Sequence, residues 1–243
     1  MKLLSTLMLL PQEAGDEGVI NLLVRYFNEG GDFMWPVLII LIVGLAIAFE
    51  RVISLNRADV NTRKFIINVK KALEDGGVSA AEEVCANTRG PVASVFQAGL
   101  LRVDEGIDAV EKAVVAYGSI EMSFLERGLV WLSLFIALAP MFGFLGTVIG
   151  MVAAFDAIEA AGDISPSLVA RGIKIALLTT VFGLIVAIIL QFFYNYAVSK
   201  IDRIVVEMEE ASIELIDSLV LMKAGQPLSE APAAAAPSGG DAT

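Results

Sequence analysis

The chain has 243 residues, of which 56% are hydrophobic, and 28 acidic against 17 basic residues give a formal net charge of −11. Soluble domains contain about 45–50% apolar residues, so the composition argues against an ordinary soluble protein. The absence of histidine and the single cysteine, Cys85, exclude disulfide frameworks, zinc sites and histidine-based catalytic triads. The acidic residues are spread over the predicted loops. We therefore expect a solvated acidic surface, no nucleic-acid partner, no cofactor, no metal and no enzymatic activity.

Three apolar segments are long enough to cross a bilayer. A hydrocarbon core of about 30 Å requires about 20 apolar residues in a helix. Charged residues are absent from residues 128–155 and 175–199, and from the shorter run 33–49. We predict an all-α membrane protein with transmembrane helices at 33–55 (TM1), 127–156 (TM2) and 167–198 (TM3).

The basic residues predict the orientation of these helices. Residues 50–127 contain ten lysines and arginines, whereas the first 32 residues contain two. The positive-inside rule places the helical loop 56–126 and the helix 199–224 in the cytoplasm, and residues 1–32 and the short loop 157–166 outside. We expect the N-terminus to stay uncleaved, because no small-residue cleavage site follows its apolar start. The stretch GVINLLVRYF is typical of an amphipathic helix on the outer membrane surface.

The predicted cytoplasmic parts are helical. Ser79 and Glu82 form a capping-box pattern that predicts a helix from Ser79 to about Thr88, and Pro91 suits the first position of the next helix. Ser165 and Pro166 form the same kind of start for TM3. From Gly225 onward the composition predicts a disordered tail, 225–243. A heptad seam follows TM3 and consists of Ile201, Val205, Met208, Ser212, Leu215, Leu219 and Met222. It favours either packing against the loop helices or association between subunits.

Small and weakly polar residues share one face in each of the last two spans. On a helical wheel the TM2 face consists of Ala139, Gly143, Gly146, Thr147, Gly150 and Ala154. Pro140 lies at the border of this face, where we expect the helix to bend. The TM3 face, with Thr179 at its shoulder, consists of Ala176, Thr180, Gly183, Ala187, Gln191 and Tyr194. Such faces serve close helix packing. Because the two faces match and each carries a threonine near its middle, they also favour a smooth wall along which a foreign helix turns.

Ionisable residues are scarce in these spans. Neither TM2 nor TM3 has a carboxylate at mid-membrane, so a second protein must supply the acid if ions cross here. Arg171 and Lys174 lie near the outer end of TM3. Snorkelling to the external interface is one interpretation of both, and pairing with an anion across subunits is the alternative.

Three stretches resemble a known family. LIILIVGLAIAFERVISL, APMFGFLGTVIGMVAAFDAI and GIKIALLTTVFGLIVAIILQFFYNY are similar to the MotA/TolQ/ExbB proton-channel family, on its ExbB/TolQ side. The resemblance covers roughly residues 33 to 215. The combination of LGT-x-x-G-M from Leu145, TT-x-x-GL-x-VAI from Thr179 and the pair Tyr194-Asn195 is specific.

The resemblance implies a subunit of an ion-driven inner-membrane motor that transports H⁺, with Na⁺ as the alternative. Five copies would form a ring around single-span helices of an ExbD- or TolR-like partner. Thr147 and Thr180 would face the membrane aspartate of that partner, with Thr179 adjacent. The complex would energise a TonB- or TolA-like protein. Many relatives have a glutamate where this chain has Ile175, beside Lys174, so the role of that glutamate does not transfer.

Two other readings stay open at this point. One is a MotA-like flagellar stator subunit, although stators usually have four spans and a longer charged cytoplasmic region. The other is a non-conducting membrane scaffold whose small faces only pack helices.

Overall fold

A computed structural model describes residues 18–59, 61–162 and 166–226. The predictions for the N-terminal start, for Ser165 and for the tail beyond Gln226 lie outside these residues. The described part is helical, with one 3₁₀ turn at Val103–Glu105. Its α-helices are α1 (Val19–Glu29), α2 (Met34–Ala58), α3 (Thr62–Asn87), α4 (Pro91–Leu100), α5 (Ile107–Glu126), α6 (Leu129–Ala161) and α7 (Pro166–Lys223).

Local sequence signals explain several helix ends. The Asn61 side chain accepts a hydrogen bond of 3.1 Å from the Lys64 amide and so caps α3. The predicted start at Pro91 is confirmed, with the proline in the first turn of α4 and Gly90 before it at φ 136°. Gly128, at φ 93°, separates α5 from α6, because few residues other than glycine adopt this backbone conformation.

The predicted helix near Ser79 is present as the second half of α3, which consists of two helices joined across a kink at Gly77. The first half, which the capping box did not predict, begins at Thr62, and the predicted end of the second half is right, since Thr88 is the C-terminal cap. Ser79 lies shortly after Gly77, where φ 68° and ψ −159° interrupt the helical backbone. The first half of the helix forms because it has a buried row of its own, Phe65, Val69 and Leu73.

Within the described residues, three helices are long and apolar enough to cross a membrane, namely α2, α6 and α7. They correspond to the three predicted spans, and they extend beyond several of the predicted boundaries. Helix α6 continues through Pro140, and α7 runs without interruption for 58 residues. The protein is therefore a multi-pass α-helical membrane protein.

The chain divides into two compact units. Of the described residues, 18–45, 133–162 and 166–191 belong to the first, and 46–59, 61–132 and 192–226 to the second. In the first unit, Met34, Val37 and Ile40 of α2 are buried. Gly44 is the position at which α2 lies close to α7, since a methyl group there would stand 2.6 Å from Leu190 Cδ1.

The second unit has its own apolar core, in which α3, α4, α5 and the last part of α7 meet. Phe96 lies at its centre, fully buried and in edge-on contact with Phe65, their ring centroids 5.2 Å apart. From the predicted heptad seam, Met208, Leu215 and Leu219 join this cluster. Of the two alternatives for the seam, the structure therefore has packing against the loop helices of the same chain.

Candidate functional site

In the first unit, α6 and α7 approach each other through glycine. A methyl group on Gly183 would lie 2.6 Å from the Ala139 carbonyl oxygen, and one on Gly143 would lie 3.0 Å from the Thr179 carbonyl oxygen. Gly146 faces the Thr179 side chain, with 2.7 Å from its ideal Cβ to Oγ1, and Gly150 lies against Ala176 at 3.3 Å. No larger residue fits at the tightest of these points, so the two small faces form a close helix–helix contact.

Three threonine hydroxyls lie in this contact. The hydroxyls of Thr147 on α6 and Thr180 on α7 are hydrogen-bonded to each other. Thr147 Oγ1 also lies 3.0 Å from the carbonyl oxygen of Ala176, and Thr180 Oγ1 lies 3.1 Å from that of Gly143. Both side chains are only partly buried. The hydroxyl pair thus lies at a border of the helix contact.

Thr179 occupies a different environment from the other two threonines. Its side chain is fully buried, and its hydroxyl donates to the Ala176 carbonyl at 2.9 Å. The Gly143 carbonyl oxygen is a further acceptor at 3.3 Å. Because Thr179 packs on Gly146, it occupies the interior of the contact between α6 and α7.

Counting hydroxyl protons shows what the cluster can offer a ligand. Each threonine has one proton to donate and two lone pairs to accept with. The proton of Thr179 has the Ala176 carbonyl and that of Thr180 has the Gly143 carbonyl. The proton of Thr147 has the Ala176 carbonyl, the Gly143 carbonyl or the Thr180 hydroxyl. All three protons therefore have partners inside the chain. The oxygens of Thr147 and Thr180 retain lone pairs, so the pair is suited to accept a hydrogen bond or to contact a cation.

The other residues of the predicted faces are placed as follows. Ala139 and Ala176 are buried, and Ala154 lies against Gly172. Pro140, Ala187 and Gln191 are partly buried. Tyr194 belongs to the second unit, where it packs on a cluster of Leu55, Leu125, Leu129, Ala197, Ile201 and Ile204.

One part of the sequence interpretation needs correction. Gly143, Gly146, Gly150 and Gly183 do not present a free surface to a foreign helix, because all four contact the other helix of the same chain. The helical wheel could not show this contact, since it ignores which helix lies opposite.

Near the start of α7 a carboxylate meets Lys174 from within the chain. The Lys174 ammonium lies 2.7 Å from Glu29 Oε2 at the end of α1, and the two side chains are 54% and 35% exposed. Beside it, the Ile175 side chain is 3.7 Å from the ideal Cβ position of Gly31. Arg171 is exposed. The sequence analysis did not single out Glu29, whose only signal was its place just after the stretch GVINLLVRYF.

No group of three or more histidine, cysteine, aspartate or glutamate side chains in the described part of the chain could hold a metal ion. What the site does provide is a small set of hydroxyl and carbonyl oxygens between two membrane-spanning helices. This arrangement defines the class as an α-helical membrane protein with a polar cluster inside its spans.

Comparison with known proteins identifies the family. Residues 87–210 match the family described as the MotA/TolQ/ExbB proton channel family. A protein of Methanothermobacter thermautotrophicus named as a biopolymer transport protein ExbB homolog is 34% identical over 197 residues, 81% of this chain and 68% of that protein. The chain therefore belongs to the MotA/TolQ/ExbB proton channel family, as the sequence motifs predict.

Further relatives agree with this assignment. A Synechocystis protein named as biopolymer transport protein ExbB-like 1 is 30% identical over 181 residues, 73% of this chain and 71% of that protein. Among solved structures, MotAB of C. jejuni has a TM-score of 0.55 at 15% identity, covering 76% of this chain and 71% of that one. At this identity the likeness concerns the fold alone. The family is one of channels rather than enzymes.

Proposed function

We propose that this chain is an ExbB/TolQ-like subunit of an ion-driven motor in the bacterial inner membrane. The names of the relatives at 30% and 34% identity support the ExbB side of the family. The observation that carries the proposal is the hydroxyl pair of Thr147 and Thr180 at the border of the contact between α6 and α7. In this proposal the pair is part of the wall of an ion pathway.

The chemistry of the pair suits an acid brought by another protein. The described residues of α6 between Leu129 and Phe155, and of α7 between Ile175 and Ser199, include no carboxylate. A protonated carboxylic acid has one hydrogen to donate, and the lone pairs of Thr147 and Thr180 can accept it. Burial of an acid in a membrane is costly when it is charged, so the pair would favour its neutral form and allow it to move past.

The proposed complex contains several copies of this chain, five by analogy with the family, around a single-span ExbD- or TolR-like partner with a membrane aspartate. The solved relative is named MotAB, which supports a second component. On the distribution of basic residues, the loop 56–126 and the helix 199–224 lie in the cytoplasm and α1 lies outside. The motor drives a TonB- or TolA-like protein that acts on outer-membrane transport or envelope maintenance.

The transported ion in this proposal is H⁺, and Na⁺ is the alternative. Threonine hydroxyls and backbone carbonyls are hard oxygen donors, so the same cluster could contact a sodium ion. Flux measured at varied pH without sodium, and at varied sodium at one pH, separates the two ions.

Threonine-to-valine variants test the wall directly. Valine has nearly the shape of threonine without its hydroxyl, so Thr147→Val and Thr180→Val remove hydrogen bonds while keeping the close contact. We expect each variant to assemble with the partner but to lose ion flux and energised transport. The matched controls are Thr147→Ser and Thr180→Ser, which keep the hydroxyl and should retain most of the flux.

Two results would count against the proposal. Undiminished flux in both valine variants would remove the pair from the pathway. An absence of any ion-dependent activity in the wild-type complex, with the partner present, would favour a scaffold that only packs helices.

A further inference from the structure

A groove of about 410 Å³ runs along the second unit between α5 and the last part of α7. Its apolar lining includes Val115 and Ile213, which are 64% and 62% exposed. Each of the two helices also adds an exposed acid, Glu111 from α5 and Glu209 from α7. The groove is thus an apolar channel with a carboxylate on each side, and in the single chain it is empty of side chains.

On another side of the same unit, α3 presents an exposed face of complementary character. Ile67 is 60% exposed, and it lies between Arg63 and Lys71, one helical turn to either side, with Lys64 beside them. Arg63, Lys64 and Lys71 form no ion pair with any described residue. The face is therefore an isoleucine framed by three free basic groups, whereas the groove is apolar and framed by acids.

The two surfaces also lie at the same height along the unit. Helix α3 runs beside α7 in the same direction, since Thr62 bonds Glu207 at 3.0 Å and Lys70 bonds Glu214, pairs 145 and 144 residues apart. With this offset, Lys64 is level with Glu209, and Ile67 lies within a helical turn of Ile213. The remaining comparison, of Lys71 with Glu111, depends on the position of α5, which forms the opposite wall of the groove.

Helix α5 runs against the direction of α7. An ideal Cβ on Gly118 would lie 3.7 Å from Met208 Cε, while Val114 and Leu215 both contact the position of Gly99, at 2.8 and 3.5 Å. Glu111, one turn before Val114, therefore stands near the level of Ile216, and Lys71 on α3 is within about one turn of that level. Lys64 and Lys71 thus lie near the levels of Glu209 and Glu111, respectively. Ile67 lies near the level of the apolar middle of the groove.

We propose that the α3 face of one copy of this chain, centred on Ile67, docks into the groove between α5 and α7 of a neighbouring copy. Ile67 lies against Val115 and Ile213 of that copy, with Arg63 and Lys64 near Glu209 and Lys71 near Glu111. The contact specifies one interface of the homo-oligomer in the proposed function, and this inference rests on that proposed function. In a ring whose axis runs along these helices, groups at equal heights meet, as this pairing requires.

The symmetry of the contact makes a definite prediction. A face and a groove on different sides of one unit form a head-to-tail contact, which gives a ring where the rotation between neighbours closes, rather than a two-fold dimer. Each copy then uses its face on one neighbour and its groove on the other. Cross-linking should therefore produce a ladder of oligomers from a face–groove pair, but no dimers from either surface alone.

Disulfide cross-linking in membranes tests the contact. The full chain with Ile67→Cys and Ile213→Cys is expressed with its partner and oxidised, and the products are separated by size. The native Cys85 is only 2% exposed and does not interfere. We expect the double variant to form a ladder that ends at the closed ring, and each single variant to remain monomeric on the gel.

A control variant and a charge exchange sharpen the test. Glu83→Cys with Ile213→Cys places the first thiol at an exposed position farther along α3 and should give little cross-linking. Lys71→Glu with Arg63→Glu should lower the ladder yield of the double-cysteine chain several-fold, and adding Glu111→Lys with Glu209→Lys should restore it.

The outcomes distinguish this inference from the proposed function. A complex that stays oligomeric by size and conducts ions, but forms no ladder, would overturn the interface and leave the motor intact. Equal cross-linking of the Glu83→Cys control, or dimers from single variants, would also overturn it. A chain that is monomeric with its partner present would refute the ring and this contact together.

Discussion

At the residue scale, the site depends on the close packing of α6 against α7. Thr147 and Thr180 were predictable from the sequence as the polar groups of two matching faces, and the structure brings their hydroxyls together. The distinct position of Thr179 was not predictable, because its burial depends on Gly146 of another helix. Helical periodicity reports which residues share a face, but not what that face contacts.

The glycine contact can be tested by adding single methyl groups. Gly183→Ala should destabilise the protein by about 1–3 kcal/mol, because the added carbon would stand 2.6 Å from the Ala139 backbone oxygen, which cannot rotate away. Gly150→Ala is the matched control, since its nearest neighbours, the Ala176 methyl group and amide nitrogen, are both at 3.3 Å. Thermal unfolding in detergent measures both. Equal losses in the two variants would contradict the described packing.

Asp59 is the residue-scale test of the second unit. It accepts hydrogen bonds from Lys200 and Arg203, and the bond from Lys200, the largest cause, holds the pKa of the Asp59 carboxyl below its ordinary value of 3.8. A lowered carboxyl pKa contributes stability that is present above pH 3.8 and lost as the pH falls through the lower, folded-state pKa. We expect Asp59→Asn to cost about 1–2 kcal/mol at pH 7.

The pH dependence and a control complete that prediction. The difference in unfolding temperature between wild type and Asp59→Asn should shrink below pH 3.8. Glu105→Gln removes the more exposed Arg102–Glu105 pair, whose side chains are both 55% exposed, and should have little effect at any pH. A difference for Asp59→Asn that stays constant into acid would show that its charge does not act as described.

At the element scale, α3 shows what local signals leave out. Ser79 and Glu82 have the spacing of a capping box and lie just after the kink at Gly77, but α3 has an additional first half that begins at Thr62 and is capped by Asn61. The earlier start is stabilised by the burial of Phe65, Val69 and Leu73 against helices that are distant in sequence. By contrast, α4 begins where its proline predicts, because that signal acts within one turn.

The interruption of α3 at Gly77 gives a test of this element. With φ 68° and ψ −159°, Gly77 occupies a backbone region that other residues enter at a cost of about 1–3 kcal/mol. No heavy atom lies within 4 Å of its ideal Cβ, so Gly77→Ala should destabilise the second unit by strain alone. Urea unfolding followed by circular dichroism measures the loss, with the exposed Asp75→Ala as the control. Stabilisation by Gly77→Ala would mean that the helix continues through this position.

Cys85 reports on the same element. Burial, with a smaller contribution from Glu82, raises the pKa of its thiol to about 12. The reactive thiolate is therefore scarce at neutral pH. We expect Cys85 to react with a maleimide at pH 7.5 far more slowly in the native protein than in denaturant. Equal rates would show that α3 and α4 do not enclose it.

At the scale of the whole molecule, the sequence predicted the class and the family. The three spans, the helical segments between them and the family motifs all follow from hydropathy and local patterns, and α2, α6 and α7 agree with them. The Glu29–Lys174 pair was not predictable. It depends on a contact between segments far apart in the chain.

Ion flux in proteoliposomes tests the central claim, that this chain forms a channel wall for an acid supplied by a partner. Vesicles would contain the chain alone, the chain with its single-span partner, or the chain with a partner whose membrane aspartate is replaced by asparagine, each under an imposed proton gradient. We predict flux only with the unaltered partner, because α6 between Leu129 and Phe155 and α7 between Ile175 and Ser199 provide hydroxyls and carbonyls but no acid. Equal flux through the chain alone, or with the asparagine partner, would contradict the account.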